Sequence, residues 1–240
     1  MAVILSILII IVQKLNTQVP GAGMINKGVE ATVSGEKFVL YPQRGMYWPD
    51  RKALLLADLH LGKVSHFRRA GIPVPSRANK HNLESLVELI AISGAQRVIC
   101  LGDLFHSHYN GEWEEFGEVV RNFAEIRFEL VLGNHDIMSR IQYERKGVTV
   151  YDQLRLGPFL LTHHPQDTVA GEFYNLAGHV HPGVRLLGKG RQAMTLPCFY
   201  FGNRQGLLPA FGAFTGVARI HPKKEDQVYV IAADKVVTVN

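Results

Sequence analysis

Hydrophobic residues along this chain fall into short apolar runs and into longer segments with helical spacing. Three of the runs are almost wholly apolar and short enough to be buried strands. They are residues 52–57, 97–101 and 128–132. Between them, residues 76–94 and 113–123 repeat apolar side chains at helical spacing, which predicts two amphipathic helices. The mixture of strands and helices predicts an α/β domain.

The rest of the chain is richer in strand-like patterns. Residues 28–41 alternate loosely, which predicts a hairpin that turns near Ser34 and Gly35. A short helix is expected to end near Gly147, and strands are expected at 158–162 and 174–177. Residues 193–201, 212–220 and 227–239 are predicted to form antiparallel strands. No repeat or linker divides the chain, so residues 24–240 are predicted to form a single domain.

The first 23 residues form an apolar extension that the sequence does not assign. Residues 3–12 are almost wholly apolar, but this run is much shorter than the roughly 20 residues that span a bilayer. No Lys or Arg precedes the run, so the charged start of a secretory signal is missing. A disordered extension, a start-site artefact, a buried strand and a signal or anchor all stay open, with Met24 as an alternative start.

The amino-acid composition indicates the general class of protein but does not identify a function. The chain has 240 residues, 47% of them hydrophobic and 20% charged, which is typical of an ordinary soluble globular protein. Its formal charge of +5 is compatible with anionic substrates such as phosphate esters or nucleic acid. Two cysteines are too few for a disulfide framework or a thiolate zinc site, so a reducing cytoplasm is the default location.

Candidate chemistry appears where five of the strand-like runs end. The polar residues at these ends are Asp58, His60, Asp103, Asn134, His163, His179 and His181. Any one of these motifs alone is also good turn chemistry, but a sheet brings its strand ends into one crevice. The seven groups exceed the six or so that one transition ion takes, which indicates two ions sharing a carboxylate. Oxygen and imidazole donors without thiolate suit Mn, Fe or Zn.

The order of these motifs carries a family resemblance. In chain order they are Asp58-x-His60, Gly102-Asp103, Gly133-Asn134-His135-Asp136, His163 and Gly178-His179-x-His181. This series resembles the five motifs of the calcineurin-like metallophosphoesterases. A narrower likeness, at residues 58–63, 66–69, 102–107, 175–183 and 196–199, is to the ligase-associated DNA damage response endonucleases of that superfamily.

The resemblance implies a fold and a role for each matching residue. The fold would be a four-layer α/β/β/α sandwich. Asp58, His60 and His181 would hold one metal, Asn134, His163 and His179 the other, and Asp103 would bridge them. His135 would face the phosphate and assist the leaving oxygen, while Asp136 would orient His135 through a hydrogen bond. His164 follows where a Gly is commoner, so His164 stays the alternative to His163 as a ligand.

The activity implied is hydrolysis of phosphodiester bonds by attack of a metal-bridging hydroxide. By resemblance, the protein would be a DNA endonuclease in DNA repair, with two manganese ions and a functional association with an ATP-dependent DNA ligase. A phosphomonoesterase or nucleotide hydrolase is the first alternative, because the same metal ligands serve those substrates. A non-catalytic scaffold for a ligase is the second, and the intact ligands together with His135 argue against it.

Basic residues after the first and last motifs are the candidates for substrate contact. His66, Arg68 and Arg69 follow the first motif, and Arg185, Lys189 and Arg191 follow the last. If both motifs meet in one crevice, these side chains should rim it and neutralise backbone phosphates. The alternative is that they are scattered, solvated charges.

Overall fold

The computed structural model describes residues 28–63, 77–106, 111–166, 171–188, 192–213 and 215–239, with the backbone alone at 77–80. The apolar extension at residues 1–23 and its alternative start Met24 lie outside the described residues. No helix within the described ranges is long and apolar enough to cross a membrane.

The first sheet contains seven strands whose spatial order follows the chain. They are β1 (Val29–Val33), β2 (Glu36–Leu40), β3 (Met46–Trp48), β4 (Ala53–Leu56), β5 (Arg97–Leu101), β6 (Arg127–Val131) and β7 (Val148–Tyr151). The first four pair antiparallel and the last four pair parallel. The predicted hairpin is confirmed, because Ser34 and Gly35 connect β1 and β2 with φ values of 49° and 83°.

Three helices of the described ranges cover one face of this sheet. They are α1 (Arg77–Ser93), α2 (Gly111–Asn122) and α3 (Arg140–Arg145). Leu86, Phe116 and Tyr143 are among the buried side chains that they contribute to a shared core with the sheet. Helix α1 ends where its sequence predicts, because Gly94, with φ 64°, follows it. A capping box of Ser139 and Gln142 begins α3.

The second sheet contains nine strands. They are β8 (Leu154–Leu156), β9 (Phe159–Thr162), β10 (Tyr174–Ala177), β11 (Pro182–Leu187), β12 (Ala193–Phe201), β13 (Gln205–Leu207), β14 (Ala218–Arg219), β15 (Gln227–Ala232) and β16 (Lys235–Val239). The order is β14-β11-β12-β13-β10-β9-β8, and β15 joins β12 to β16. The prediction for residues 212–220 was wrong, because among the described residues of this range only Ala218 and Arg219 form a strand, and that strand pairs parallel with β11.

The two sheets pack face to face around a second core. Alternate side chains of each strand point to opposite faces, so Leu54 and Leu56 of β4 contact the helices while Leu55 enters the core between the sheets. The second sheet supplies Phe159 and Phe199 to the same core. The predicted α/β class and the packing of two sheets are confirmed, and in the described ranges the helices lie on the first sheet.

Candidate metal centre

Three loops at the carboxyl edge of the first sheet carry the predicted motifs. Because β4, β5 and β6 are parallel, the segments that follow them start at one edge. The first two segments continue to pair after the strands end: Asp58 N–H donates to Gly102 O at 3.1 Å and His60 N–H donates to Asp103 O at 2.8 Å. Asp58, His60 and Asp103 therefore lie side by side and are buried.

The motifs of the second sheet meet those of the first at the same edge. His163 follows β9, and its Nδ1 lies 3.0 Å from Leu101 O at the end of β5. His179 follows β10, and its backbone N–H donates to Asp58 Oδ2 at 2.9 Å. The contact with Leu101 places the proton of the His163 ring on Nδ1 and leaves Nε2 to face the site.

Most of these candidate ligands have an unusual backbone conformation. Asp58, His60, Asp103, His179 and His181 have φ values of 54°, 49°, 51°, 64° and 51°. The left-handed region is uncommon for residues other than glycine and carries a strain of roughly 1–2 kcal/mol at each position. Five such residues at one edge of two sheets are typical of a functional site, where the surrounding structure holds the strain.

The glycines of the motifs make room for the ligands. A Cβ on Gly102 would lie 2.2 Å from the Nδ1 of His163, and one on Gly133 would lie 2.3 Å from Oδ1 of Asp103. A Cβ on Gly178 would lie 2.7 Å from Oδ2 of Asp58. Only glycine permits these approaches, which explains the Gly-Asp, Gly-Asn and Gly-His pairs in physical terms.

The candidate ligands of the described chain lie in two neighbouring groups. Ligand atoms of Asp58, His60 and His181 lie within 4.8 Å of one another. In the other group, His163 Nε2 lies 3.0 Å from Asn134 Oδ1 and 3.2 Å from His179 Nδ1.

Asp103 lies between these two groups. Its Oδ1 is 3.4 Å from Nε2 of His163, and its Oδ2 is 3.7 Å from Nε2 of His60. One oxygen therefore faces each group, which is the arrangement expected of a carboxylate that bridges two cations.

Buried polar atoms in the site fit divalent cations. Among the described residues, Asp58 Oδ1 and both ring nitrogens of His60 are buried without a hydrogen-bond partner. Such atoms are destabilising unless something coordinates them. Burial, with the nearby charges of Lys63 and His181, lowers the pKa of His60 to about 2, so the ring is neutral, as a metal ligand must be. The donor set of carboxylates, an amide and imidazoles suits Mn, Fe or Zn.

His163 and His164 differ in burial and so in role. His163 is buried, whereas His164 is exposed and its ring centroid lies 4.0 Å from that of His179. The side chain that faces Asn134 and Asp103 is that of His163, and His164 lies at the rim of the same group.

His135 lies at the open side of the centre. Its backbone N–H donates to Asp103 Oδ1 at 2.9 Å, its Nε2 lies 3.9 Å from Asp103 Oδ2, and its side chain is 43% exposed. The ring of His106 lies 4.1 Å from the His135 ring, measured between centroids. The position leaves the His135 ring accessible to a ligand that approaches the site.

Asp136 makes different contacts from the one expected. Its Oδ1 accepts hydrogen bonds from Phe105 N–H and Tyr143 O–H, both at 3.1 Å, and its Oδ2 accepts one from Gly133 N–H at 2.9 Å. The predicted bond to the ring of His135 is not among these contacts of the described chain. Burial raises the pKa of Asp136 to about 6, and the bonds from the Gly133 and Phe105 amides partly oppose that rise. Asp136 thus fastens the loop after β6 to the loop after β5 and to α3.

Two further parts of the site gave no signal in the sequence. No sequence motif around Tyr143 predicts its hydrogen bond to Asp136. Residues 208–213 run beside the first motif, where Phe211 N–H donates to Ala57 O and Gly212 N–H donates to Asp58 O. The guanidinium of Arg44 donates to the carbonyl oxygens of Ala210 and Gly212 and so holds this segment in place.

The candidate substrate residues are only partly described. His66, Arg68, Arg69, Lys189 and Arg191 lie outside the described residues. Arg185 is described, and its side chain is exposed on β11.

Comparison with known proteins is consistent with this geometry. The sequence model of the calcineurin-like phosphoesterase family matches residues 51–203, which include all seven candidate ligands. The crystal structure of nuclease MPE from Pseudomonas putida is 30% identical in sequence, aligns over 88% of this chain and 100% of that chain, and has a TM-score of 0.75. No curated protein matches the chain in sequence.

Two other solved structures are more distant. Protein AQ665 of unknown function from Aquifex aeolicus is 18% identical over 54% of this chain and 78% of its own, with a TM-score of 0.38. The phosphoesterase Yfce from E. coli is 15% identical over 78% of this chain and 97% of its own, with a TM-score of 0.40. These scores are too low to support an inference about this protein.

The family match covers more than half of the chain, and the matched segment contains all seven candidate ligands, which lie where the two sheets meet. The chain therefore belongs to the calcineurin-like phosphoesterase family and is a hydrolase that acts on phosphate esters.

Proposed function

We propose that this protein uses two manganese ions to hydrolyse phosphodiester bonds in DNA. The observation that carries the proposal is the position of Asp103, with one carboxylate oxygen toward His60 and the other toward His163. The similarity to a nuclease from Pseudomonas putida supports a nucleic acid substrate. The wider role, in DNA repair beside an ATP-dependent DNA ligase, rests on the sequence resemblance, and the cytoplasmic location rests on the low cysteine count.

Each residue of the site has a part in this proposal. Asp58, His60 and His181 would hold one ion, and Asn134, His163 and His179 would hold the other. When bound, two divalent ions activate water and withdraw charge from the phosphoryl oxygens. Leu101 O keeps the His163 ring in the tautomer whose Nε2 faces Asn134 and Asp103 and would be free to coordinate an ion.

His135 is the residue we place on the substrate. Its Nε2 lies at the open side of Asp103 and is accessible, so a proton held there can be given to the leaving oxygen. Asp136 acts indirectly, because its bonds to Gly133 N–H and Tyr143 O–H fix the loop that carries His135.

A comparison of substrates in the presence of manganese tests the proposal. The assay would use bis(p-nitrophenyl) phosphate, p-nitrophenyl phosphate, and one DNA oligonucleotide in single- and double-stranded form. We expect the diester and DNA to be hydrolysed with higher kcat/KM than the monoester. Faster hydrolysis of the monoester, with intact DNA, would instead make the protein a phosphomonoesterase.

A further inference from the structure

Three strands of the second sheet extend past the edge that carries the metal centre. Strand β12 pairs with β13 only through Tyr200 and Phe201, opposite Leu207 and Gly206. Its earlier residues, 193–197, pair instead with β11, which begins directly after the ligand His181. Strand β14 pairs with the start of β11. We call β11, β14 and residues 193–197 the projecting ribbon.

One face of the projecting ribbon continues the inner face of the second sheet. Phe199 and Phe201 of β12 point into the core between the sheets, so Thr195, an even number of positions away, lies on the same face. Arg185 pairs with Thr195, and paired residues share a face, so Arg185 lies on it as well.

The same reasoning places a second arginine beside the first. Gly183, two positions before Arg185, pairs with Arg219 of β14. A Cβ on Gly183 would meet Cγ1 of Val217, so the chain leading into β14 covers this face. That chain comes from Gly212, which is bonded to the backbone of Asp58. The face with Arg185 and Arg219 therefore lies on the side of the metal centre.

This face is positively charged in the part of the chain that the structure describes. Both arginine side chains are exposed, and neither has an ion pair among the described residues. The ribbon segments 182–188, 192–197 and 215–220 contain no Asp or Glu. Leu187, on the same face as Arg185, is 78% exposed. Exposed cations beside an apolar side chain complement a polyanion that also carries bases.

Distance separates this surface from the reaction centre. Arg185 is four residues beyond His181, and at about 3.3 Å per residue the strand places it ~13 Å away. Arg219 is nearer, because it pairs with Gly183, which is two residues, or ~7 Å, beyond His181. A simple phosphate ester bound at the metal ligands ends short of Arg185, whereas a polynucleotide reaches it. The surface is thus suited to substrate that flanks the scissile bond.

We propose that the projecting ribbon is the docking surface for the sugar-phosphate backbone of a polynucleotide, with Arg185 and Arg219 contacting phosphates away from the scissile one. The inference rests on the proposed phosphodiesterase function and adds the surface that binds the polynucleotide beyond the scissile bond. The ribbon selects long substrates and takes no part in hydrolysis itself.

The double variant Arg185→Gln/Arg219→Gln tests this inference in the full-length, manganese-loaded protein. A matched control is Lys37→Gln/Arg127→Gln, which also removes two exposed charges but on β2 and at the opposite end of β6. Each protein would be assayed with bis(p-nitrophenyl) phosphate and with a DNA oligonucleotide, single- or double-stranded, across a salt series.

We expect the ribbon variant to hydrolyse the small diester at the rate of the unmodified protein. Its KM for the oligonucleotide should rise roughly tenfold at low salt. The negative slope of log affinity against log salt should become shallower by about 1.4 for a single strand, because two phosphate contacts are lost. If KM rises more for the single-stranded oligonucleotide than for the double-stranded one, or the reverse, the more affected form is the one that binds the ribbon.

Two results would overturn the inference. One is oligonucleotide kinetics equal to those of the control variant with both strand forms. The other is an equal loss on the small diester, because that would make the ribbon part of the metal centre. Failure of the unmodified protein to hydrolyse the small diester would instead reject the proposed function.

Discussion

His163 and His164 are neighbours in sequence, yet burial gives them different chemistry. His163 is held by Leu101 O and faces Asn134, whereas His164 is exposed against the ring of His179. The sequence favoured His163, which directly follows the apolar run, and left His164 open because a Gly is commoner at its position in the motif. What separates them is the direction of the side chain after β9, which depends on the register of the sheet.

We therefore expect His163→Ala and His164→Ala to differ in metal content. His163→Ala removes a nitrogen that faces both Asn134 and Asp103, so the protein should retain about one manganese ion fewer per chain. His164→Ala should retain the metal content of the unmodified protein. Elemental analysis after dialysis measures both, and the reverse pattern would make His164 the ligand.

His135→Ala should separate catalysis from metal binding. The ring lies outside the two ligand groups, so metal content should be unchanged. Loss of its proton at the leaving oxygen should lower kcat by about 10²- to 10⁴-fold for a diester with a poor leaving group. A variant that keeps full activity would remove His135 from the chemistry.

At the scale of the elements, loops rather than strands determine the site. The strands β5, β10 and β12 were predicted with their observed bounds, because mostly apolar runs mark them. The short strands β3 and β13 were missed, because three residues carry no periodic pattern. The role of Asp136 was also missed, since its partners Phe105 and Tyr143 come from separate elements.

The glycine before Asp103 provides a test at this scale. Gly102→Ala places a methyl group against the His163 ring, and Gly102 also has φ 80°. Gly35 has φ 83° with nothing within 4 Å of an added Cβ, so Gly35→Ala carries the backbone strain alone.

Both substitutions should lower the free energy of unfolding by roughly 1–2 kcal/mol through the left-handed backbone. Gly102→Ala should lower it further and also reduce bound manganese. Denaturant unfolding and elemental analysis give the two quantities. Equal effects of the two substitutions on metal content would show that Gly102 does not make room for His163.

At the scale of the whole molecule, the site exists only because two sheets are brought together. Asp58 and His60 belong to the first sheet and His181 to the second, so one ligand group needs both. The apolar faces predicted that strands would be buried, but not that β9 and β10 would meet the ends of β4 and β5. That arrangement follows from packing of side chains such as Phe159 and Leu55 in the shared core.

Metal binding should consequently stabilise the fold as a whole. At a free ion concentration of 100 times Kd, each occupied site adds about 2.7 kcal/mol to the free energy of unfolding. That energy raises Tm by roughly 5–10 °C per site. Thermal unfolding with manganese and then with excess chelator measures the shift. His60→Ala removes a ligand of one of the two ions, so its shift should be smaller by about one site's contribution, and an equal shift in that variant would place the metal elsewhere.

The number of manganese ions bound per chain tests the central claim most directly. Equilibrium dialysis of the metal-free protein, followed by elemental analysis, should give two ions per chain. Asp103→Asn should bind fewer, because one carboxylate oxygen faces each ligand group. A single ion in the unmodified protein, or unchanged binding in Asp103→Asn, would contradict a dinuclear centre bridged by Asp103.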